Sequence, residues 1–297
     1  MHIRKEEKRM NDKEKRNSIR ENIVYRNARV IVVVLLFCMF ALMNGQTVFA
    51  TESSGANLVP GNSIPVDKSV EEKSGKIVTE SGKKYFEYSD GKKAKSCFLE
   101  VKGKNYYFGK KGVMEKGWMK KDGNYYYFDR NTGMQKKNCK VDGIKIKKDG
   151  TVKKTSYNKK KIETMIEAKS IMNKIVNVTD TKEQKLKKVF DWVMKHPYNR
   201  HRILAQARMK KGWEMTYAKD IYKSGDGCCV SEACAFAFLA HECGYKKVYI
   251  CDDTEHAWTE INGRVYDTLF AEIKNYDDYY NSTYKKVKLW CENKLKI

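Results

Sequence analysis

Cys228 and Cys229 are adjacent thiols at the start of an apolar, alanine-rich stretch, and their position favours nucleophilic chemistry. A glycine-containing loop precedes the pair, and Gly244 stands where a glycine commonly ends a helix. A thiol in the first turn of a helix meets unpaired N–H groups and the positive end of the helix dipole, which lower its pKa. The sequence therefore predicts a reactive cysteine at the beginning of a helix.

An imidazole and a carboxylate that would complete this chemistry lie on a predicted hairpin further along the chain. The dipeptide at 262–263 is Asn-Gly between two β-prone runs, which is the strongest short-range hairpin signal. A two-residue loop there sets Thr259 opposite Tyr266 and puts His256 and Asp267 on one face as diagonal neighbours. An aspartate in that position accepts a hydrogen bond from one imidazole nitrogen and leaves the other nitrogen for a thiol. A thiol, an imidazole and a carboxylate arranged in this way can act as nucleophile, base and orienting group.

Other elements must hold these groups in place. From about residue 158 glycine becomes sparse, and apolar periods predict helices over about residues 159–176 and 181–196. Thr179 or Asp180 is the predicted cap of the second helix, and Pro197 lies just beyond its end. A strand is predicted over residues 245–251, directly before the hairpin.

A repeat of about twenty residues occupies the chain ahead of these helices. Glycines recur at residues 82, 103, 123 and 143, and aromatic clusters follow them at 85–88, 106–108 and 125–128. In the fourth copy the cluster decays to the apolar residues of 144–146. Each copy predicts a β-hairpin, and because a single hairpin is marginal in water, neighbouring copies must stack to bury the aromatic rings. Residues 76–155 are therefore a predicted solenoid of hairpins.

These repeats, with their Gly-Trp pair at 117–118, resemble the choline-binding-type, cell-wall-binding repeats of Gram-positive surface proteins. The resemblance implies aromatic cages for a quaternary ammonium or a wall carbohydrate. Phe98 and Cys139 stand where the family has tryptophan in the flanking copies, which favours adhesion to wall polymers in general over choline itself. The alternative is a spacer whose rings only pack on each other. The predicted wall-ligand residues are Trp118, Tyr106, Tyr107, Tyr125, Tyr126 and Tyr127.

The second half of the chain resembles the transglutaminase-like (transglutaminase/protease) superfamily over about residues 160–275. The resemblance rests on a Gly-x-Cys opening a helix, then His-Ala-Trp-x-Glu at 256–260 and Tyr-Asp-Thr at 266–268. Cys229, rather than Cys228, matches the family's nucleophile, because it places Ala233 four residues later and Gly244 fifteen residues later. The implied fold of residues 156–297 is an α+β, papain-like catalytic domain.

That resemblance implies roles for four residues: Cys229 as nucleophile, His256 as base, Asp267 as orienting carboxylate, and Trp258 as an aromatic substrate-binding residue. The implied reaction is acyl transfer from a glutamine carboxamide or a peptide bond through a thioester, released by water or by an amine. No cofactor is expected, nor a metal, since the thiols along the helix mostly diverge. The second oxyanion donor stays open among Trp213, Tyr217 and Tyr222. The alternative function is a non-catalytic wall-binding adhesion or scaffold protein with an inactive transglutaminase-like domain.

The net charge and the first fifty residues predict where the protein is located in the cell. The formal net charge of +23 favours anionic partners. A charged segment followed by the apolar run 30–43 and by Val48-Phe49-Ala50 predicts a signal peptide over residues 1–50, cleaved after Ala50. A polar linker follows over residues 51–75. We therefore expect a secreted, wall-associated protein with teichoic acid or peptidoglycan and a protein or peptide substrate as partners, no nucleic acid, and a membrane only if the signal stays uncleaved.

Overall fold

The computed structural model describes residues 74–253 and 255–297. The predicted signal peptide 1–50, its cleavage after Ala50 and all but the last two residues of the predicted linker 51–75 lie outside the described residues. The described residues belong to one compact unit. In the part of the chain that the structure describes, no helix has the length and apolar character needed to cross a membrane.

Four β-hairpins form the repeat region, as the glycine and aromatic pattern predicts. Each is a two-stranded antiparallel sheet whose strands are joined by a two-residue turn. Both turn residues have positive φ, for example 46° at Asp122 and 71° at Gly123, as in type I′ hairpins. The strands are β1 Gly75–Glu80, β2 Lys83–Tyr88, β3 Cys97–Val101, β4 Lys104–Phe108, β5 Gly117–Lys121, β6 Asn124–Phe128, β7 Cys139–Val141 and β8 Ile144–Ile146.

The helices begin immediately after the hairpins. Helix α2 begins with a capping box in which Thr181 and Gln184 bond to each other's backbone N–H. The cap is therefore Thr181 and not Thr179 or Asp180, because only Thr181 has a glutamine three residues later. The helices are α1 Ser156–Ile175, α2 Lys182–Met194, α3 Leu204–Arg208, α4 Trp213–Lys219 with a π-helical turn Asp220–Ser224, α5 Cys229–Glu242, α6 Thr268–Ile273, α7 Tyr276–Tyr279 and α8 Tyr284–Val287.

A four-stranded antiparallel sheet completes the second half of the chain. Its strands are β9 Val248–Asp252, β10 Ala257–Ile261, β11 Arg264–Tyr266 and β12 Asn293–Lys296, in the order β11-β10-β9-β12. Thr259 pairs with Tyr266 across the Asn-Gly turn, so the predicted hairpin register is confirmed.

Helix α5 lies at the centre of the core, and all 14 of its residues are buried. It contacts α1, α2 and α4 as well as strands β9 and β10, which explains why its sequence is apolar all round rather than amphipathic. The same core includes Trp118 and Tyr127 of the third hairpin and Ile144 of the fourth. The last two hairpins therefore share their apolar interior with the helices.

Candidate functional site

The loop that delivers the thiols to helix α5 is fixed by backbone contacts. Tyr198 forms a parallel bridge with Gly227, and the Asn199 N–H donates to the Gly227 carbonyl at 2.8 Å. A Cβ added at Gly227 would lie 2.5 Å from the Cβ of Ser231, so only glycine fits there. Cys228 follows as the N-cap residue and Cys229 is the first residue of the helix, as the sequence predicts.

The two adjacent thiols shift each other's pKa in opposite directions. The Cys229 thiol, together with bonds from Ser231 and Val230, lowers the pKa of Cys228 to about 5, because these donors stabilise its thiolate. The same contact raises the pKa of Cys229, because a second thiolate would form beside the first. With these opposite shifts, Cys228 is the thiol of the pair that ionises first.

His256 and Asp267 lie in contact at the far end of strands β10 and β11. The Nε2 atom of His256 donates to Oδ2 of Asp267 at 2.6 Å, and Asp267 is 1% exposed. The other carboxylate oxygen accepts the N–H of Phe270 at 3.0 Å and so caps α6. The Phe270 ring in turn stacks on the imidazole, with centroids 3.9 Å apart. Asp267 and Phe270 thus fix the ring so that Nδ1 is the nitrogen left for another partner.

One cavity of about 160 Å³ brings the thiols and the imidazole together. Cys228, Cys229 and His256 all line it, and the backbone N–H of Ala257, the residue after His256, reaches the Cys229 sulfur. Asp267 does not line the cavity because it lies behind the imidazole, on the Nε2 side. The arrangement provides a thiolate, a base and an orienting carboxylate around one solvent-connected space.

Trp258 is a buried residue of the sheet. Its side chain is 1% exposed, its indole N–H donates to the Tyr284 hydroxyl at 3.2 Å, and it is absent from the cavity wall. The side chain packs between the sheet and α8, and the predicted substrate contact stays a prediction. It supports the imidazole from 6.2 Å.

Of the three residues considered as a second oxyanion donor, only Tyr217 lines the cavity. Its hydroxyl lies 3.5 Å from the Arg202 carbonyl. Tyr222 donates to the Ala235 carbonyl at 2.7 Å, and Trp213 lies edge-on to Tyr217 at 5.8 Å. Tyr217 is thus the one of the three whose position suits contact with a bound acyl group.

Sequence reasoning missed a polar chain that begins at the thiols. The Cys228 sulfur lies 3.7 Å from the Ser231 hydroxyl, which donates to Asp220 at 2.7 Å. Asp220 is in turn paired with Arg202 through both guanidinium nitrogens. Cys228 and Ser231 lie at the start of α5, but Arg202 and Asp220 come from separate segments, so the sequence offers no signal that joins them to the thiols.

Most of the predicted wall-ligand residues are buried in the repeat interior. Trp118 is 1% exposed, and its indole N–H donates to Asp142 at 2.8 Å. Tyr125 is 2% exposed and donates to Glu163 of α1 at 2.7 Å. Tyr106 and Tyr127 are also buried, each at 8% exposure. The helices and the neighbouring hairpins cover the rings of these four residues, and their predicted ligand contact stays a prediction.

One exposed ring, that of Phe98, caps a group of rings on the second and third hairpins in which Tyr107 and Phe128 are buried. Phe98 is 40% exposed, and its ring centroid lies 4.9 Å from that of Tyr107 and 5.1 Å from that of Tyr126. Phe128 lies beneath them, 6.3 Å from Phe98. We refer to Phe98, Tyr107, Tyr126 and Phe128 as the aromatic cluster. It retains two of the predicted tyrosines and adds Phe98, which stands at the family's tryptophan position.

Comparison with known proteins identifies the repeats. Residues 98–139 match the choline-binding repeat family. The aromatic cluster lies within the matched residues. No curated protein matches the chain. The predicted wall-binding type of repeat is thus confirmed, while residues 140–297 lie outside the family match.

Three solved structures from Streptococcus pneumoniae are similar to part of the chain, each with a TM-score of 0.25. The choline-binding domain of Spr1274 is 28% identical over 26% of this chain and 93% of its own length. CbpJ is 27% identical over 26% of each chain. Choline-binding protein F, solved in the presence of a peptidoglycan analogue, is 25% identical over 27% of each chain. This chain therefore spans about a quarter of the last two.

Proposed function

We propose that this protein is a wall-bound cysteine acyl-transfer enzyme of the transglutaminase-like type. The observation that carries the proposal is the contact of His256 with Asp267 at 2.6 Å beside a cavity that both thiols line. A papain-like catalytic domain would then be held at the envelope by the choline-binding repeats. Wall association is the part that the family match at residues 98–139 supports.

For wall binding, the proposed contact is the aromatic cluster. Ring faces attract quaternary ammonium groups electrostatically, and Phe98 supplies an exposed face of this kind. Phenylalanine is a weaker cation–π partner than tryptophan, so we expect choline alone to bind more weakly than a choline-bearing or other anionic wall polymer. The net charge of +23 adds long-range attraction to teichoic acid.

For acyl transfer, the Cys229 thiol gives its proton to Nδ1 of His256, so that the Cys229 sulfur becomes the thiolate. This sulfur attacks the carbonyl carbon of a glutamine carboxamide or a peptide bond and forms the C–S bond of a thioester. His256 gives its Nδ1 proton to the departing ammonia or amine as the C–N bond breaks. Water or a second amine, deprotonated by His256, then attacks the thioester and releases the thiolate. The Cys229 backbone N–H is the expected first oxyanion donor.

A second candidate function is wall binding without catalysis. The family match favours it, because that match lies wholly within the repeats. In that case the second half of the chain would serve as a scaffold. The two functions differ in whether the Cys229 sulfur turns over an acyl donor.

The experiment that separates them is incubation of the full chain with a glutamine donor peptide and a labelled primary amine, with ammonia measured in parallel. The proposal expects ammonia release, with or without amine incorporation, and loss of both in Cys229→Ala. Cys139→Ala removes a half-buried thiol of the fourth hairpin and should leave activity unchanged. Equal, background-level signals in all three proteins would support the wall-binding scaffold.

A further inference from the structure

Arg200 is a cation at the thiol cavity that forms no ion pair with a carboxylate among the described residues. It is exposed and lines the same cavity as Cys228, Cys229 and His256. Its one hydrogen bond among the described residues is to the Tyr198 hydroxyl at 3.4 Å, and no described carboxylate pairs with it. Arg202, which lines the same cavity, is by contrast fully engaged by Asp220.

The backbone around Arg200 is held firmly against the thiol loop. Asp226 accepts from the Asn199 amide at 2.9 Å and contacts His201 Nε2 at 2.6 Å. The Gly227 N–H donates to the Pro197 carbonyl at 3.1 Å. Asp226 is thus committed to the residues on either side of Arg200, and it is not available to the guanidinium. The loop keeps Arg200 beside the sulfurs while leaving its charged end free.

From this geometry we infer that Arg200 is a specificity-determining residue that selects acyl donors carrying a carboxylate next to the scissile carbonyl. The inference rests on the proposed acyl transfer and names its substrate class: acidic peptides. A guanidinium has a planar fork of N–H donors that matches a carboxylate in two-pronged geometry, which a lysine ammonium does not. The substrate carboxylate would pair with Arg200 in the way that Asp220 pairs with Arg202.

Two carboxylates, Asp253 and Glu255, line the same cavity and add negative charge to it. Asp253 accepts the N–H groups of Glu255 and His256 through Oδ1, at 2.8 and 2.6 Å, and so shapes the turn before His256. Glu255 is exposed. A donor with its carboxylate towards Arg200 avoids repulsion from this acidic segment, so the cavity favours one orientation of an acidic substrate.

The test compares alkylation of the Cys228–Cys229 pair by iodoacetate and by iodoacetamide, which differ in carrying a carboxylate or an amide. Both form a C–S bond and release iodide, and neither needs turnover, so the result is independent of whether the protein proves to be an enzyme. Rates are followed by peptide mapping of the full chain. We expect the iodoacetate-to-iodoacetamide ratio to fall about fivefold in Arg200→Gln, the order expected for one exposed ion pair.

Three variants complete the design. Arg200→Lys should keep part of the ratio through its charge alone, and Glu255→Gln should raise the ratio. Arg264→Gln, which removes an exposed arginine bound to Asn281, should leave the ratio unchanged. An unchanged ratio in Arg200→Gln overturns the inference. Equal slowing of both reagents also overturns it, since Arg200 would then act on the thiol pKa and not on the reagent's carboxylate.

Discussion

Arg130, in the turn after β6, forms a two-pronged ion pair with Glu242, the last residue of helix α5. The N–O distances are 2.6 and 2.7 Å, and the Glu242 side chain is 2% exposed. Helix α5 begins at Cys229, so this ion pair fixes the third hairpin to the C-terminal end of the helix, while the thiols lie at its N-terminal end. Asp142 of the fourth hairpin adds a contact to His241 at 3.0 Å.

Breaking this pair from one side should destabilise the protein strongly. Arg130→Met leaves the Glu242 carboxylate buried and unpaired, and we expect the free energy of unfolding to fall by about 3–5 kcal/mol. Urea unfolding measures it, and Arg130→Met with Glu242→Met should recover part of the loss. Lys92→Met, which removes an exposed pair with Asp90, is the control and should change stability by less than ~1 kcal/mol. A single variant as stable as the wild type would show that the hairpin does not brace α5.

The thiol pair predicts a low pH midpoint for alkylation. The pKa of Cys228 is lowered to about 5 by the adjacent Cys229 thiol, so a thiolate persists at neutral pH and is lost only as the pH falls through that value. The rate of reaction with iodoacetamide at the pair should therefore have its midpoint near pH 5. Cys228→Ala removes the thiol that ionises first and should move the midpoint upwards. A wild-type midpoint near the ordinary thiol value of about 8.5 would contradict the lowered pKa of Cys228.

Glu232 predicts how stability changes with pH. It is 1% exposed, and burial raises the pKa of its carboxyl to about 8, with the charge of Asp267 adding to the rise. The folded protein therefore holds a proton that the unfolded chain releases above its ordinary pKa near 4.5. Stability from this group is full below that value, declines as the pH rises, and levels off above about 8.

Glu232→Gln should remove this decline, so the variant should gain stability over the wild type progressively between pH 5 and pH 8. The measurement is urea unfolding at several pH values, with the exposed Glu292→Gln as the control. Parallel pH profiles for the wild type and Glu232→Gln would mean that the carboxyl is ionised at neutral pH in the folded protein.

The Asp267 side chain has two functions that one substitution can separate. Asp267→Asn keeps an oxygen for the Phe270 N–H and so preserves the α6 cap, but it no longer accepts a charge-assisted bond from His256. We expect acyl transfer to fall by about 10²–10⁴-fold while thermal stability changes by about 1 kcal/mol or less. Steady-state kinetics and thermal unfolding give the two readouts. Full activity in the variant would remove Asp267 from the mechanism.

The aromatic cluster predicts which substitutions abolish wall binding. Phe98→Ala with Tyr126→Ala removes the exposed ring face and should reduce co-sedimentation with purified Gram-positive walls at least several-fold. Trp290→Ala removes an exposed ring outside the repeats, at 76% exposure, and should bind like the wild type. If both variants bound the walls as well as the wild type does, the positive charge of the protein and not the aromatic cluster would account for wall binding.

Local patterns predicted the local geometry well. The Asn-Gly turn fixes the register of β10 and β11, and the positive φ of 96° at Gly244 follows from the need to end α5. The sequence could not predict which side chains are buried by segments that are distant along the chain. Trp118 has the spacing of a ligand residue, yet α1 and Asp142 bury it. Trp258 has the spacing of a motif residue, yet α8 closes over it.

Contacts between distant segments were equally beyond prediction. Strand β12 has no strong alternation of its own and pairs with β9 only because that edge is open. The free charge of Arg200 depends on Asp226 being occupied by His201 and Asn199, which no residue spacing encodes. Long-range pairing of this kind is a property of the folded chain, so it emerges only in the structure.

The most direct measurement is peptide mapping by mass spectrometry after acid quenching of the full chain with an activated acyl donor. Our account predicts an acyl adduct on the Cys229 sulfur, which accumulates in His256→Ala and decays within the reaction time in the wild type. An adduct on Cys228, an even distribution over all thiols, or no adduct at all would contradict the claim that Cys229 is a nucleophile served by His256 and Asp267.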